Sequence, residues 1–536
     1  MRFLSACVAA VGLLYLAVPV FGEPIVVGYY ASWKQQQSAN VDFSKYTHIN
    51  LAFGIPNSDG TFTFDETLNI PNIVTEIHGK GAKALVSIGG WSGSNLISTI
   101  LKDETANQKF ITSIVDYVKA NELDGVDLDW EYPGRQGAKC NVVDEANDTP
   151  NYLKFVQALR EQFNTEFGES KKLITMAVYV QPFYINGAPS TDVSEFAKVV
   201  DFINLMQYDI NGAWLNNTGP NAPLEFEQGK GAQFSFASAI DAWTKAGWPA
   251  NQLTAGLAFY GRSTTATVDM TKDPTNQYQP QGSVLPKGDS EDAEWSDTCD
   301  QTSGMSGMWQ WKHLRDQGVL TSPDTAASPW VRQWDDTTKT PWLFNPETKI
   351  FISYDDIESI GAKIEYASSK GLAGAMVWAV YMDYEDELLD TILKWPSGGG
   401  TVGGINNDPD DASDKATDGK TEDGETEDGE TEDGETEDGE TEDGETDNGE
   451  VNGFGGTGTG GDSDIFQFGS QNDKDVKKGD SCSSDGEMTC EDSGNSANYY
   501  ICLFGEKISL ACSSGTVCVE NEGSIICSWE ETAAEE

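Results

Sequence analysis

Positive charge is scarce in this sequence. Its 34 Lys and Arg residues stand against 87 Asp and Glu, which leaves a formal net charge of −53 at pH 7. Such an acidic excess disfavours nucleic acids and anionic membrane surfaces as partners, because both would be repelled. The excess is uneven, since a Thr-Glu-Asp-Gly-Glu unit repeats five times over residues 421–445. A segment with so much like charge and no large apolar side chain repels itself and cannot bury a core.

Long apolar runs are also missing, except at the N-terminus. Residues 1–22 combine Arg2, an apolar run through Val18 and a small-residue site ending at Gly22, as secretory signal peptides do. An uncleaved membrane anchor is the alternative, but the run is short and Pro19 interrupts it. The hydrophilic C-terminus lacks the apolar tail of a lipid-anchor signal. We therefore expect a secreted, extracellular protein with no membrane partner, and we expect a monomer.

Cysteine and histidine are few, with 9 Cys and 3 His in the whole chain. Six cysteines fall within residues 479–530, where there is no Cys-x2-Cys pair and no His, so a zinc site is disfavoured. Such a density is typical of a small module with three disulfides in an oxidising compartment, and about fifteen connectivities remain open. The six are Cys482, Cys490, Cys502, Cys512, Cys518 and Cys527. Cys140 and Cys299 either pair with each other or remain two free thiols.

The most informative stretch is residues 123–134, LDGVDLDWEYPG, which predicts a short strand between two turns. Side chains alternate faces along a strand, so Asp127, Asp129 and Glu131 point the same way while the apolar residues between them point into a core. Buried carboxylates in a row repel one another, so at least one should hold a proton near neutral pH. Such an acid, aimed at a cleft, suits glycosidic-bond cleavage. A solvated acidic edge or a cation site is the alternative.

Eight apolar strands alternate with amphipathic helices between residues 23 and 395. This count predicts an α/β fold of the (β/α)8 TIM-barrel class, whereas an open doubly wound sheet is disfavoured because a phosphate-binding glycine loop is missing. The predicted strands are Ile25–Tyr30, His48–Phe53, Ala84–Ile88, Gly125–Trp130, Leu173–Val180, Phe202–Met206, Leu253–Phe259 and Ala373–Trp378. Polar or aromatic residues end six of them, and function collects at the C-terminal ends of barrel strands. The carboxylate stretch ends strand four.

Residues 263–349 are too long for a plain loop between strands seven and eight, and they are rich in tryptophan. They predict a small inserted subdomain that walls one side of the cleft. Residues 396–478 predict an acidic and glycine-rich disordered linker, and residues 479–530 the cysteine-rich module. Tyr500 and Trp529 in that module either form a platform for stacking on sugar rings or supply its small core.

Two resemblances add to these inferences. The string DGVDLDWE is similar to the D-G-[VILF]-D-[LIV]-D-W-E motif of glycoside hydrolase family 18, the chitinases and their relatives, and the likeness covers residues 23–395. The C-terminal module resembles the chitin-binding modules of carbohydrate-binding family 19, through its cysteine spacing around Tyr500-Ile501-Cys502 and Gly515-Thr516-Val517-Cys518. The resemblance implies chitin and chitooligosaccharides as partners and neither a cofactor nor a metal.

The first resemblance also implies roles for individual residues. In family 18 the position matching Glu131 protonates the leaving oxygen and later activates water, while the substrate's own N-acetyl carbonyl is the nucleophile. The position matching Asp129 orients the acetamide group, and the one matching Asp127 sets the charge of that aspartate. Tyr208 and Asp209 match the residues that bind the acetamide. The other matching positions are Tyr30 and Ser87 as supports of Asp127, Met206 and Trp378 as pocket walls, Arg262 as a sugar-binding residue, and Trp91 and Trp214 as stacking residues.

The resemblance thus implies a secreted chitinase that cleaves β-1,4 linkages between N-acetylglucosamine units with net retention. One alternative is an endo-β-N-acetylglucosaminidase acting on the chitobiose core of N-glycans, which the insertion and the C-terminal module disfavour. The other is a chitin-binding lectin without turnover. Because every catalytic position of the family motif is kept, an active hydrolase is the favoured interpretation.

Overall fold

The computed structural model describes residues 24–296 and 302–396 continuously, and parts of the C-terminal segment between residues 478 and 529. The expected signal peptide and nearly all of the expected linker lie outside the described residues. The described part of the chain contains no helix that is both long and apolar enough to cross a membrane.

Eight parallel strands form a closed barrel. Each strand pairs with the next in the chain, and the first pairs with both the second and the eighth, which closes the ring. The strands are Ile25–Ala31, His48–Pro56, Lys83–Gly89, Gly125–Asp129, Leu173–Val178, Phe202–Leu205, Leu253–Ala258 and Gly374–Trp378. We number them one to eight. The predicted TIM barrel is confirmed, and closure excludes the open sheet.

Helices cover the outside of this barrel, with an apolar stripe turned inward. The helix Glu104–Ala120 buries Phe110, Ile114 and Val118 at helical spacing, and the side chain of Asp103 caps its start by accepting from Ala106 N. The α-helices are Ile70–Gly79, Ile97–Lys102, Glu104–Ala120, Asp148–Phe167, Phe236–Lys245, Trp311–Asp316, Ile357–Ser369 and Glu387–Ile392. Where helices would follow strands one and five, the described chain makes 3-10 turns instead: Ser32–Lys34, Phe43–Lys45 and Phe196–Lys198. The other 3-10 turns are Ala250–Gln252, Met270–Lys272 and Val380–Met382.

The inserted subdomain is built on an antiparallel sheet of five strands. In spatial order these are Met308–Gln310, Tyr260–Thr265, Ile350–Ser353, Thr340–Phe344 and Val331–Asp335. The sheet extends beyond the predicted 263–349 on both sides, because Tyr260–Thr265 and Ile350–Ser353 pair with each other rather than with the barrel. The loops contain further strands of two or three residues: Phe62–Thr63, Tyr184–Ile185, Ala188–Pro189, Trp295–Ser296, Thr302–Ser303, Leu320–Ser322 and Thr325–Ala326.

The C-terminal segment forms a separate compact unit of β structure. Four antiparallel strands, in the order Lys478–Ser481, Glu506–Ala511, Asn498–Leu503 and Met488–Cys490, form one sheet. Thr516–Asn521 and Ser524–Trp529 form a hairpin. A disulfide joins Cys490 to Cys518, with 5.6 Å between their Cα atoms, and so links the sheet to the hairpin. One pair among the open connectivities is thereby assigned.

Candidate active site

Asp127 lies in the barrel interior and is completely buried. Four side chains donate hydrogen bonds to its carboxylate: Tyr29 and Ser87 to Oδ2, both at 2.7 Å, and Thr175 and Asn204 to Oδ1 at 2.6 and 3.2 Å. The donors come from strands one, three, five and six, so the Asp127 carboxylate links barrel strands on both sides of strand four. Burial raises the pKa of Asp127, and the hydrogen bonds oppose that rise because they stabilise the charged form.

The support of Asp127 on strand one corrects one expectation. The resemblance assigned Tyr30 to this role, but Tyr29 makes the contact, and the Tyr30 ring packs against Phe43 with 6.2 Å between centroids. The reason is strand parity: neighbouring side chains point to opposite faces, so only one of two adjacent tyrosines can enter the barrel. Ser87, by contrast, contacts Asp127 as expected.

Asp129 ends strand four and is 3% exposed. Its Oδ1 atom is buried and accepts no hydrogen bond from the described protein atoms. Burial raises its pKa well above the usual value, and the charges of Glu131 and Asp127 add to the rise. An aspartate in this environment favours the protonated form, and its Oδ1 has no hydrogen-bond partner among the described protein atoms.

Glu131 follows two residues beyond the end of the strand and is half-buried. Burial raises its pKa to about 7; a hydrogen bond with Tyr132 opposes the rise, and the charge of Asp209 adds to it. A carboxyl group with this pKa can both give and take a proton near neutral pH, which is what general acid–base catalysis requires. The pKa values of Asp127, Asp129 and Glu131 are all raised, which agrees with the prediction that at least one of these carboxyls holds a proton near neutral pH.

The end of strand six brings Tyr208 and Asp209 to the same site. The pKa of Tyr208 lies well above its usual value because of burial, and next because of the negative charges of Asp129 and Asp209. Its hydroxyl donates to Met376 Sδ on strand eight at 3.7 Å. Met206 directly follows this strand and is partly buried against the core.

Arg262, on the first strand of the insertion, reaches across to the barrel. Its Nε and Nη2 atoms donate to the two carboxylate oxygens of Asp209 at 2.8 and 2.9 Å, a two-point ion pair. The guanidinium also lies 5.8 Å from the centre of the Trp214 ring, which is 56% exposed. Asp209 itself has a φ of 55°, and its N–H donates to Asn221 Oδ1 at 3.2 Å. The insertion therefore fixes both the carboxylate of Asp209 and an aromatic surface beside it.

Trp378, the last residue of strand eight, lies at the centre of an aromatic group. Its ring is stacked on Phe53, with 5.7 Å between centroids and 13° between planes, and is 5.6 Å from Tyr29 and 6.4 Å from Trp33. Trp33 and Trp91 expose about half of their surface, 53% and 46%. Exposed aromatic faces at a cleft bind the apolar faces of sugar rings, so these residues offer a surface for a polysaccharide.

Sequence reasoning missed several of these residues. Tyr29, Thr175 and Asn204 hold Asp127 but belong to no local motif, and Trp33 and Phe53 flank Trp378 only in the folded barrel. The one signal for them was position, since each lies in or directly after a barrel strand. Three peptide bonds that precede non-proline residues are cis among the described residues, and all three are here: Ala52–Phe53, Glu131–Tyr132 and Trp378–Ala379. Nowhere in the described ranges do three or more His, Cys, Asp or Glu side chains form a group suited to a metal ion.

The expected binding face of the C-terminal module is described only in part. Tyr500 pairs with Thr489 and Ser509 in the sheet and is partly exposed. The side chain of Trp529 and those of Cys482, Cys502, Cys512 and Cys527 lie outside the described residues. Cys299 does too, so its pairing with Cys140 stays a prediction, although Cys140 itself is disulfide-bonded.

Comparison with known families identifies the barrel. Residues 25–383 match the model for the glycosyl hydrolases of family 18. The chain belongs to this family. Residues 475–522 match the carbohydrate-binding domain of family 19. Both resemblances inferred from the sequence are thereby confirmed.

Relatives of this family 18 chain carry two kinds of name. A "chitinase-like effector" of Moniliophthora roreri is 35% identical over 412 residues, which span 73% of this chain and 98% of that protein. Chitinase A1 of Niallia circulans is 31% identical over 440 residues, 70% of this chain and 59% of that protein. The crystal structure of a chitinase from Rhizomucor miehei is 36% identical, covers 69% of this chain and 99% of its own, and superposes with a TM-score of 0.64. The chain thus has a chitinase-like fold with chitinases among its homologues.

Proposed function

We propose that this protein is a secreted chitinase that hydrolyses β-1,4 linkages of N-acetylglucosamine polymers with net retention. The observation that supports the proposal best is the environment of Glu131: a carboxyl at the C-terminal mouth of the barrel, with a pKa raised to about 7 and a second, protonation-prone carboxyl one pleat deeper. A proton held there at neutral pH can be delivered to a glycosidic oxygen. The family 18 match and the chitinases among the relatives agree with it.

In the proposed reaction Glu131 gives its proton to the oxygen of the leaving sugar as the bond to the anomeric carbon breaks. The acetamide carbonyl of the substrate attacks that carbon from the opposite face, which forms a cyclic oxazolinium ion. Because Glu131 holds the shared proton before this step, Asp129 is ionised: its Oδ1 accepts from the acetamide N–H, and its charge stabilises the positive ion. Glu131, now ionised, takes a proton from water as the water opens the ring, so the acid is restored and the configuration is retained.

The remaining site residues would hold the sugar for this reaction. Tyr208 and Asp209 bind the acetamide carbonyl side, with Met206 lining the pocket. Trp378 forms the floor beneath the sugar that reacts. In this proposal Trp91, Trp214 and Arg262 bind neighbouring sugars, and Ser87 acts only through Asp127.

A chitin oligomer tests the proposal. The wild type should release shorter products from N-acetylglucosamine hexamer, and Glu131→Gln should lower kcat by at least about a thousandfold, within the range that acid–base groups supply. Binding of the hexamer, followed by calorimetry, should survive the substitution because the isosteric amide keeps the shape of the cleft. An N-glycan with a chitobiose core serves as the comparison substrate. Hydrolysis by Glu131→Gln at the wild-type rate would refute the assignment of the acid.

A chitin-binding protein without turnover is the second candidate, and the relatives named "chitinase-like effector" favour it. In that case the aromatic surface and the C-terminal module would bind chitin fragments while the carboxylates stay idle. The same assay separates the two: binding of the hexamer without any product from the wild type supports the second candidate and rejects the first.

A further inference from the structure

We propose that Ser94 and Asn141 are positioning residues that clamp the main chain of Glu131 from its two sides and so place its carboxyl for proton transfer. The inference rests on the proposed function, because it concerns the residue assigned there as the acid. It adds to that function two side chains that belong to neither the carboxylate row nor the sugar-binding surface.

The pairing of strand four with its neighbours ends before Glu131, so the main chain of Glu131 needs other hydrogen-bond partners. The last residue of this strand with partners on both sides is Asp129, opposite Gly89 on strand three and Ala177 on strand five. Glu131 lies two residues further along the chain, beyond the hydrogen-bonded pairing that holds the barrel strands together. Its N–H and C=O are strong polar groups that need partners when buried, and a main chain without them would be free to shift.

Ser94 supplies the partner on the amide side. The N–H of Glu131 donates to Ser94 Oγ at 2.9 Å, and Ser94 is completely buried. The hydroxyl in turn donates to the carbonyl of Gly90 at 2.8 Å, with the carbonyl of Asp129 at 3.2 Å as a longer alternative. Because Gly90 N donates to Asp129 O at 2.8 Å, Ser94 is linked through Gly90 to the last residue of strand four. Its acceptor lone pair is therefore held in a fixed place.

Asn141 supplies the partner on the carbonyl side. Its Nδ2 atom donates to Glu131 O at 2.7 Å, and the residue is 7% exposed. The orientation of the amide follows from this contact, since a flipped group would set oxygen against oxygen. Gly137 lets the two approach, because a Cβ atom there would lie 1.9 Å from Glu131 O.

The loop that carries Asn141 is itself secured. The N–H of Asn141 donates to Ala138 O at 2.9 Å, and Gln136 Nε2 donates to Ala138 O and Asn141 O at 2.7 and 3.2 Å. The next residue, Val142, donates to Asn95 O at 3.2 Å, so this loop and the loop of Ser94 are joined directly. The two halves of the clamp thus form one unit around Glu131.

Fixing both polar groups of one residue leaves the carboxyl little freedom except rotation of its own side chain. Proton transfer in the transition state depends steeply on such placement, and an error of about 1 Å can lower a rate by about a hundredfold. The clamp should therefore act on kcat through Glu131 and leave the sugar-binding surface unchanged.

The test uses the full chain with Ser94→Ala and Asn141→Leu, both of which change the side-chain volume little. Ser94→Ala removes the acceptor for the Glu131 N–H together with the serine's own bond to Gly90 O. Asn141→Leu removes the donor to Glu131 O without adding a charge. We expect kcat on chitotetraose to fall by about tenfold or more and KM to stay within about twofold, the pattern of an interaction made only in the transition state. Matched controls are Ser368→Ala, which removes a buried hydroxyl bonded to Pro396 O, and Asn121→Leu, which removes an amide bonded to Tyr117 O. All four should lose a similar few degrees of Tm, but the controls should keep wild-type kcat.

A second readout separates positioning from general damage. An aryl chitobioside whose phenolate leaves without protonation needs no acid for bond cleavage, so the loss in kcat/KM should shrink to about threefold or less on that substrate. In a Glu131→Gln background, Ser94→Ala should add no further loss, because groups that act through one another are not additive. Equal losses on both substrates, or additive losses, would overturn the clamp. A wild type without hydrolysis would instead overturn the proposed function.

Discussion

Replacing Glu131 by Gln should stabilise the protein against unfolding at alkaline pH and leave its stability unchanged at acid pH. The pKa of Glu131 rises from 4.5 in an unperturbed glutamate to about 7 in the fold, because burial disfavours the charged form. The native state therefore holds a proton that the unfolded chain has already lost between these two pH values. This group's contribution to stability is complete below about pH 4.5 and is lost as the pH rises through about 7. Glutamine carries no such dependence.

The size of the effect follows from the shift. A difference of about 2.5 pKa units at about 1.4 kcal/mol each gives about 3 to 4 kcal/mol as an upper value, since Glu131 is half-buried and the nearby carboxyls titrate with it. At pH 8 the variant should be more stable by a large part of this amount, which is a shift of several degrees in Tm. Below pH 4.5, where Glu131 is protonated in both the folded and the unfolded state, the free energies of unfolding of the two proteins should be equal.

Thermal unfolding at pH 4, 6 and 8, followed by circular dichroism and calorimetry, measures this difference. Glu161→Gln, an exposed position on the helix Asp148–Phe167, is the matched control and should show no comparable trend. A difference between the wild type and Glu131→Gln that is independent of pH would refute the reasoning, and so would a difference of the opposite sign. Either result would mean that burial does not hold a proton on Glu131.

Three further predictions concern the surroundings of the acid and the C-terminal module. Tyr29→Phe removes a donor from the Asp127 carboxylate and should lower kcat by about tenfold, whereas Tyr30→Phe should not, and the same kinetic assay compares them. Arg262→Lys keeps the charge but loses the two-point contact with Asp209, so kcat/KM on chitotetraose should fall by about tenfold. Deletion of residues 396–536 should weaken retention on insoluble chitin in a pull-down and spare hydrolysis of soluble oligomers; unchanged retention would contradict a binding role for the module.

Much of the fold could be predicted because its signals are local. Each barrel strand is a short apolar run bounded by turns, and all eight predicted strands are present with ends shifted by a few residues. The insertion was placed correctly between strands seven and eight, but its limits were too narrow. The strands at its two ends in the sequence, Tyr260–Thr265 and Ile350–Ser353, pair across more than 80 residues, and the local sequence pattern does not indicate such a distant partner.

The site was predictable where a motif carried it and unpredictable where contacts cross the barrel. The row of Asp127, Asp129 and Glu131 follows from strand periodicity alone. The choice between Tyr29 and Tyr30 does not, because two adjacent tyrosines of equal character give no sign of which one faces inward. Ser94 and Asn141 meet Glu131 from separate loops, and a polar residue in a loop has no pattern that names its partner.

Asp127 and Asp129 on strand four and Glu131 just beyond it differ in their surroundings, and these differences decide which of them is charged and which is protonated. Asp127 is buried most completely, yet four donors stabilise its ionised form, so the negative charge is best placed there. Asp129 has a free oxygen and a charged neighbour on each side, so the proton is best placed on it or on Glu131. The charges of both Asp127 and Glu131 raise the pKa of Asp129, so a change at Asp127 should reach Glu131 through Asp129. Tyr29 should therefore influence the pH dependence of the reaction without touching the substrate, as Tyr29→Phe would reveal in a displaced alkaline limb of the rate profile.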